Sequence, residues 1–230
     1  VSNQNDVVFI TIAILLVLFL VQRLGTSSIG KTFGVVMVFW FGFLAVFGFA
    51  NMCKDLTVLR ALNPIYGLQV LFSPHNKMGI FILGSIFLAT TGAEALYSDM
   101  GHVGRRNIYI TWPFVYLSLI LNYFGQGAWI IHQIKHQTVT SNINPFYDML
   151  PHSVYLIGVI IATLAAIIAS QALITGSYTL VEEAIGLKIL PRLKVYHPNV
   201  LKGQIYIGGV NWILCAITLS VVFFFRTSEH

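Results

Sequence analysis

Charge placement constrains this chain more than any other feature: charged residues fall into short clusters, and between the clusters run long apolar stretches that carry almost none. A helix that crosses the hydrocarbon core of a bilayer needs about 20 mostly apolar residues at a rise of about 1.5 Å each. Runs over 7–22, 32–53, 78–98, 107–131, 152–181 and 203–225 reach or approach that length. The first is short and the third is interrupted only by Glu94. The composition agrees, being 57% hydrophobic and 9% charged over 230 residues, where soluble domains are roughly one-quarter charged. Unbroken runs such as Ile12 to Leu18 exclude a membrane barrel, whose strands alternate apolar and polar positions. The expected fold is therefore all-α and transmembrane, with about six spans and residues 1–230 forming one domain. The chain starts at Val1 without an initiator Met and stops just after an apolar run, so the domain is expected to be incomplete at both ends.

The loops carry the orientation signal. If the spans alternate, Arg23, Lys31, Arg105, Arg106, Lys188, Arg192, Lys194 and Lys202 share one face, and Lys54, Arg60, Lys77 and Lys135 the other. Basic loops stay on the cytoplasmic side, so loops 23–31, 99–106 and 182–202 are expected there. The net charge of +5 is thus spent on topology, and no nucleic-acid partner is read from it. The first run lacks a basic leading region and a cleavage site, so it is not read as a signal peptide. Prolines punctuate the same plan: Pro64, Pro74, Pro145, Pro151, Pro191 and Pro198 fall between spans, and only Pro113 lies within one, near its start. The two long loops, 54–77 and 132–151, carry aromatics with Asn and Pro and are expected to fold against the bundle. Small residues at Gly42 and Ala45, at Gly125 and Gly127-Ala128, and along Ala162 to Ala172 are expected where helices pack closely. Cys53 and Cys215, at or inside spans, read as small packing residues.

Three patterns could carry chemistry. Gly25 to Thr32 fits the phosphate-loop spacing G-x-x-x-x-G-K-[ST] letter for letter, but that loop joins a buried strand to a helix, whereas here it joins two apolar spans. It is read as a chance match. His132 and His136, spaced i and i+4, would suit two zinc ligands, yet no third acid or Cys ligand is near, so they read as interfacial histidines. Glu94 is different. An ionisable group inside an apolar span costs at least about 2.5 kcal/mol unless it faces protein or water, and such groups usually serve function. Thr90 and Thr91, four and three residues earlier, lie on the same helical side, so hydroxyl and carboxylate oxygens can converge as a hard cation requires. Gly92 can open the helix there and free backbone carbonyls for the same cation, as discontinuous helices of transporters do.

The letters from Gly92 through Glu94, Tyr97, Asp99, Gly101 and Gly104 to Arg105 closely resemble the signature of the Kup/HAK/KT family of potassium uptake permeases. The resemblance continues through Leu121 to Ala128, Asn144-Pro-Phe, Ile168 to Ala172, Gly203 to Tyr206 and Val210-Asn-Trp212, nearly the whole chain. The segment then corresponds to the family's helices four to nine. The resemblance implies a proton-coupled potassium importer of the amino acid–polyamine–cation superfamily, a fold of two inverted five-helix repeats around a central ion site. It makes the third span here the broken first helix of the second repeat. On that reading Thr91, Gly92 and Glu94 bind the ion and Tyr97 is a pocket wall. Glu94 or Asp99 serves proton coupling or gating, and Ser170 and Gln171 are weaker contributors. The family's first-helix motif and its carboxy-terminal region are absent from these residues, so part of the expected ion site lies elsewhere.

The expected function is potassium uptake across the plasma membrane, with potassium and a proton as the transported species, the lipid bilayer as surroundings, and room for a homodimer. No cofactor is implied, nor any metal beyond the transported potassium. No nucleophile with a base at usable spacing is visible, which argues against an enzyme. Two alternatives stay open: a permease of the same fold for another cation or an amino acid, and a non-transporting membrane scaffold in which Glu94 forms a structural ion pair.

Overall fold

A computed structural model of the chain describes residues 4–22, 27–73, 81–90, 105–136, 143–191, 193–196 and 205–225. The described residues are helical apart from turns and one isolated bridge. The cause is the solvent. In lipid each backbone N–H and C=O must find its partner inside the segment, which a helix achieves by itself.

The elements are α1 (Gln4–Val21), α2 (Ser27–Met52), a 3-10 helix (Leu56–Leu62), α3 (Pro64–Leu71), α4 (Phe81–Thr90), α5 (Arg105–Lys135), α6 (Pro145–Asp148), α7 (His152–Gly186) and α8 (Gly208–Phe225). Among the described residues, four helices are long and apolar enough to cross a membrane, over Thr32–Met52, Arg105–Lys135, His152–Gly186 and Gly208–Phe225. The expected first span forms the shorter apolar helix Val7–Val21. Of the expected third span, only Phe81–Thr90 is described as helix, and its second half lies outside the described residues. Four expected ends move by four or five residues. α2 starts at Ser27 rather than at residue 32, α5 runs past Ile131 to Lys135, α7 runs past residue 181 to Gly186, and α8 starts at Gly208 rather than at residue 203. In the last case Tyr196 and Tyr206 exchange both backbone hydrogen bonds, at 2.9 and 2.8 Å, so Tyr206 is held extended before the helix can begin. The Gly25 to Thr32 pattern follows a helix, and its described part belongs to α2.

The chain divides into two compact units. In the unit of Val1–Gly34 and Ala166–His230, α1 packs along α8. Its core gathers Phe19, Ile174, Tyr178, Ile205, Ile207 and Cys215. The Tyr178 and Tyr206 rings meet edge to face at 6.0 Å. α7 ends with Lys188 in the left-handed region, φ 60°, a conformation usually given to Gly or Asn at a helix end.

The unit of Val35–Ala165 is built on α2 and α5. Ser118, Asn122, Gly125 and Ala128 form the buried face of α5, spaced three or four apart as a helix demands. At the end of α2 the chain turns into the 3-10 helix, which Asp55 caps by accepting the Thr57 N–H at 3.0 Å. Asn63 then caps α3 by accepting the Ile65 N–H at 3.0 Å, with Pro64 in the first turn, where its missing N–H costs nothing. Described parts of both long loops pack onto the helices: Val58 of the 3-10 helix is buried beside Gly127 of α5, and Phe146 of α6 meets Trp40 of α2 edge to face at 5.6 Å.

The outer helix faces are apolar as well. Phe39 stays 67% exposed and Phe224 80% exposed, which suits contact with lipid chains.

Candidate functional site

Thr91, Gly92, Glu94, Tyr97 and Asp99 lie outside the described residues, and Thr90 is the last described residue of α4 before them. The two remaining candidates are described. Ser170 donates its hydroxyl to the Ala166 carbonyl one turn earlier at 2.9 Å. Gln171 is buried, and its amide oxygen accepts a hydrogen bond from the side-chain amide of Gln22, also buried, next to the end of α1.

This amide pair begins a polar seam inside the first unit. α7 places Gln171, then Thr175, then Tyr178 and Thr179 at steps of three or four residues, on one face. Tyr178 donates its hydroxyl to the Asn211 side-chain oxygen of α8 at 2.6 Å, and the Asn211 amide donates to the Phe19 carbonyl of α1 at 3.3 Å. Asn211 is completely buried and Tyr178 almost so. Uncharged amides and hydroxyls cannot carry a charge, but each one left unpaired in hydrocarbon is costly, so together they fix the register of α1, α7 and α8. Replacing either Gln22 or Gln171 by Leu is expected to lower the melting temperature of the purified protein. The double variant should recover part of the loss, with a coupling of about 0.6 and at most about 1.7 kcal/mol. Additive losses in that cycle would remove the pair from the account.

The second unit carries a different arrangement. Asn51, buried at the end of α2, donates to the Phe47 carbonyl at 2.9 Å and to the Met149 carbonyl at 3.4 Å, and its oxygen accepts from Lys54 at 2.9 Å. Beside it, Lys135 at the end of α5 reaches Asp55 with Nζ to Oδ2 at 2.5 Å. The Lys135 ammonium, then the hydroxyl and the amide of Thr57, hold the Asp55 carboxyl down at about 2. A carboxylate depressed in the folded state stabilises above its ordinary value and loses that contribution as pH falls through the depressed one. The pair is therefore charged throughout neutral and mildly acidic pH. The difference in melting temperature between wild type and Asp55→Asn is expected to stay constant from about pH 8 to about pH 5 and to shrink below about pH 4. A difference that changes between pH 8 and pH 5 would contradict the assignment.

Sequence reasoning missed Gln22, Asn51, Tyr178 and Asn211. Their signal was present, since each is a polar residue in or at the edge of an apolar run, but an uncharged amide stands out less than a carboxylate.

The family described as the K+ potassium transporter integral membrane domain matches residues 1–230. Among curated relatives, the "Probable potassium transport system protein Kup" of Ligilactobacillus salivarius (strain UCC118) is 65% identical over 231 residues, covering 100% of this chain and 34% of the relative. The "Probable potassium transport system protein Kup 1" of Lactobacillus johnsonii is 57% identical over 230 residues, and the Kup protein of Latilactobacillus sakei subsp. sakei 57% over 233, each covering 100% of this chain and 34% of the relative. The chain thus spans about a third of the length of the curated relatives it matches. No solved structure matches it.

Proposed function

The chain belongs to the K+ potassium transporter family, and from that premise we propose that it is the middle part of a permease that imports potassium across the plasma membrane by proton-coupled symport. The observation that carries the reading is Glu94: a carboxylate inside an apolar run, one helical turn after Thr90 and Thr91 and next to a helix-loosening Gly92, in a chain whose relatives are named as potassium transport proteins. Potassium is a hard cation and takes oxygen ligands, which this segment concentrates.

In this proposal Thr91, Glu94 and the backbone at Gly92 bind the ion on a discontinuous helix, and Tyr97 walls the pocket. Potassium and the proton use the Glu94 carboxylate in turn, with Asp99 gating access. Ser170 and Gln171 are secondary contributors. The six spans form one transmembrane domain, part of an inverted-repeat fold of the amino acid–polyamine–cation superfamily. Loops 23–31, 99–106 and 182–202 face the cytoplasm, because they hold eight of the basic residues against four in the opposite loops. The four apolar helices long enough to span support the membrane placement.

The test uses the full-length protein reconstituted in liposomes, with rubidium as tracer and a trapped pH indicator. Rubidium accumulation driven by an inward proton gradient, with acidification of the lumen and collapse on adding a protonophore, is the expected result. Rubidium flux that ignores the gradient would remove the coupling, and absence of flux from well-folded protein would remove potassium as the cargo.

A further inference from the structure

His132 lies in the last turn of α5 and His136 directly after its end, one turn further on, with the His136 N–H bonded to the His132 carbonyl at 3.1 Å. Their rings lie against each other, with centroids 4.4 Å apart and planes inclined by 44°. Both side chains are exposed. We infer that this pair is a binding site for a divalent transition-metal ion, Cu2+ or Zn2+, which takes one imidazole nitrogen from each histidine and fills its remaining positions with water.

Three observations support the site. The helix holds His132, the backbone bond to its carbonyl holds His136, and the rings lie against each other, so an ion at about 2.0–2.1 Å from one nitrogen of each can bridge them. The pair sits at the carboxyl end of a long helix, where the macrodipole favours a cation. Lys135, the cation that would repel the ion, is already bound to the Asp55 carboxylate. From sequence alone the missing third ligand made these histidines unremarkable. Among the described residues no group of three His, Cys, Asp or Glu gathers here or elsewhere. The consequence is an open, exchangeable site rather than a structural one. Imidazole ligation and the usual order of divalent affinities put Cu2+ ahead of Zn2+, and leave Mg2+ and potassium unbound.

The experiment titrates Cu2+ into full-length protein in nanodiscs, with any affinity tag removed, and compares wild type with His132→Ala and His136→Ala. The electron paramagnetic resonance spectrum of the wild type should show one Cu2+ with hyperfine splitting from two imidazole nitrogens. Zn2+ should displace it and millimolar Mg2+ should not. Each variant should lose the two-nitrogen signal and bind this ion at least about tenfold more weakly, with an unchanged size-exclusion profile and metal-free rubidium uptake. Identical Cu2+ spectra and affinities in wild type and both variants would overturn the assignment, as would a wild type that binds no Cu2+ at micromolar concentration.

Discussion

Gly48→Ala is expected to force α2 away from α5 and to destabilise the protein by about 1–3 kcal/mol or more. A Cβ at position 48 would lie 2.5 Å from the Leu121 carbonyl oxygen and 2.6 Å from the amide nitrogen and Cα of Asn122, all backbone atoms that cannot swing aside. Gly125 meets the Gly48 backbone from the other side, so the two helices touch main chain to main chain at this crossing. Such contact is how helices associate in lipid, where hydrophobic burial gives them no reason to leave the tails. Larger residues at 48 should lower the yield of monodisperse protein further. Gly42→Ala on the same helix is the control: no described atom lies within 4 Å of its Cβ position. Exchanging Gly for Ala in an open helical site is neutral or favourable by up to about 1 kcal/mol. Equal melting temperatures for Gly48→Ala and Gly42→Ala would refute the crossing.

The same two glycines show what sequence could and could not convey. Small residues in an apolar run announce close packing without saying which of them faces a neighbour. Gly42 was expected at a contact and faces open space among the described residues, whereas Gly125 was expected there and is buried. Gly48, the partner in the crossing, carries no distinguishing mark in the sequence, because phase along the helix depends on where the other helix lies. Charge-free length was the more legible signal: it placed α2, α5, α7 and α8 to within a few residues. Helix ends were less so, since the delay of α8 to Gly208 comes from the Tyr196–Tyr206 pairing, a contact between residues on either side of a loop. The polar seam around Asn211 follows the same rule, for each side-chain partner of Asn211 lies on another helix.

Glu94→Gln carries the second large expectation. The substitution keeps size and one carbonyl oxygen but removes the charge and the proton-accepting carboxylate. An interaction with a charged partner contributes about 1.5–3 kcal/mol, so uptake should fall roughly 10- to 100-fold at limiting potassium. Glu94→Asp keeps the charge on a shorter arm and should retain part of the activity. Thr91→Val, which deletes the proposed hydroxyl ligand and preserves shape, should weaken apparent affinity for the ion more than maximal rate. A Glu94 that forms a structural ion pair would behave differently. Its Gln variant would lose stability and expression while the protein that reached the membrane transported normally.

The most direct measurement of the central claim is rubidium uptake by a potassium-uptake-deficient bacterium expressing the full-length protein or its Glu94→Gln variant at matched membrane levels. The account predicts uptake and growth at low potassium with the wild type, and the loss of both with the variant. Equal uptake by the two would contradict Glu94 as the transport carboxylate, and no uptake by a well-expressed wild type would contradict potassium import itself.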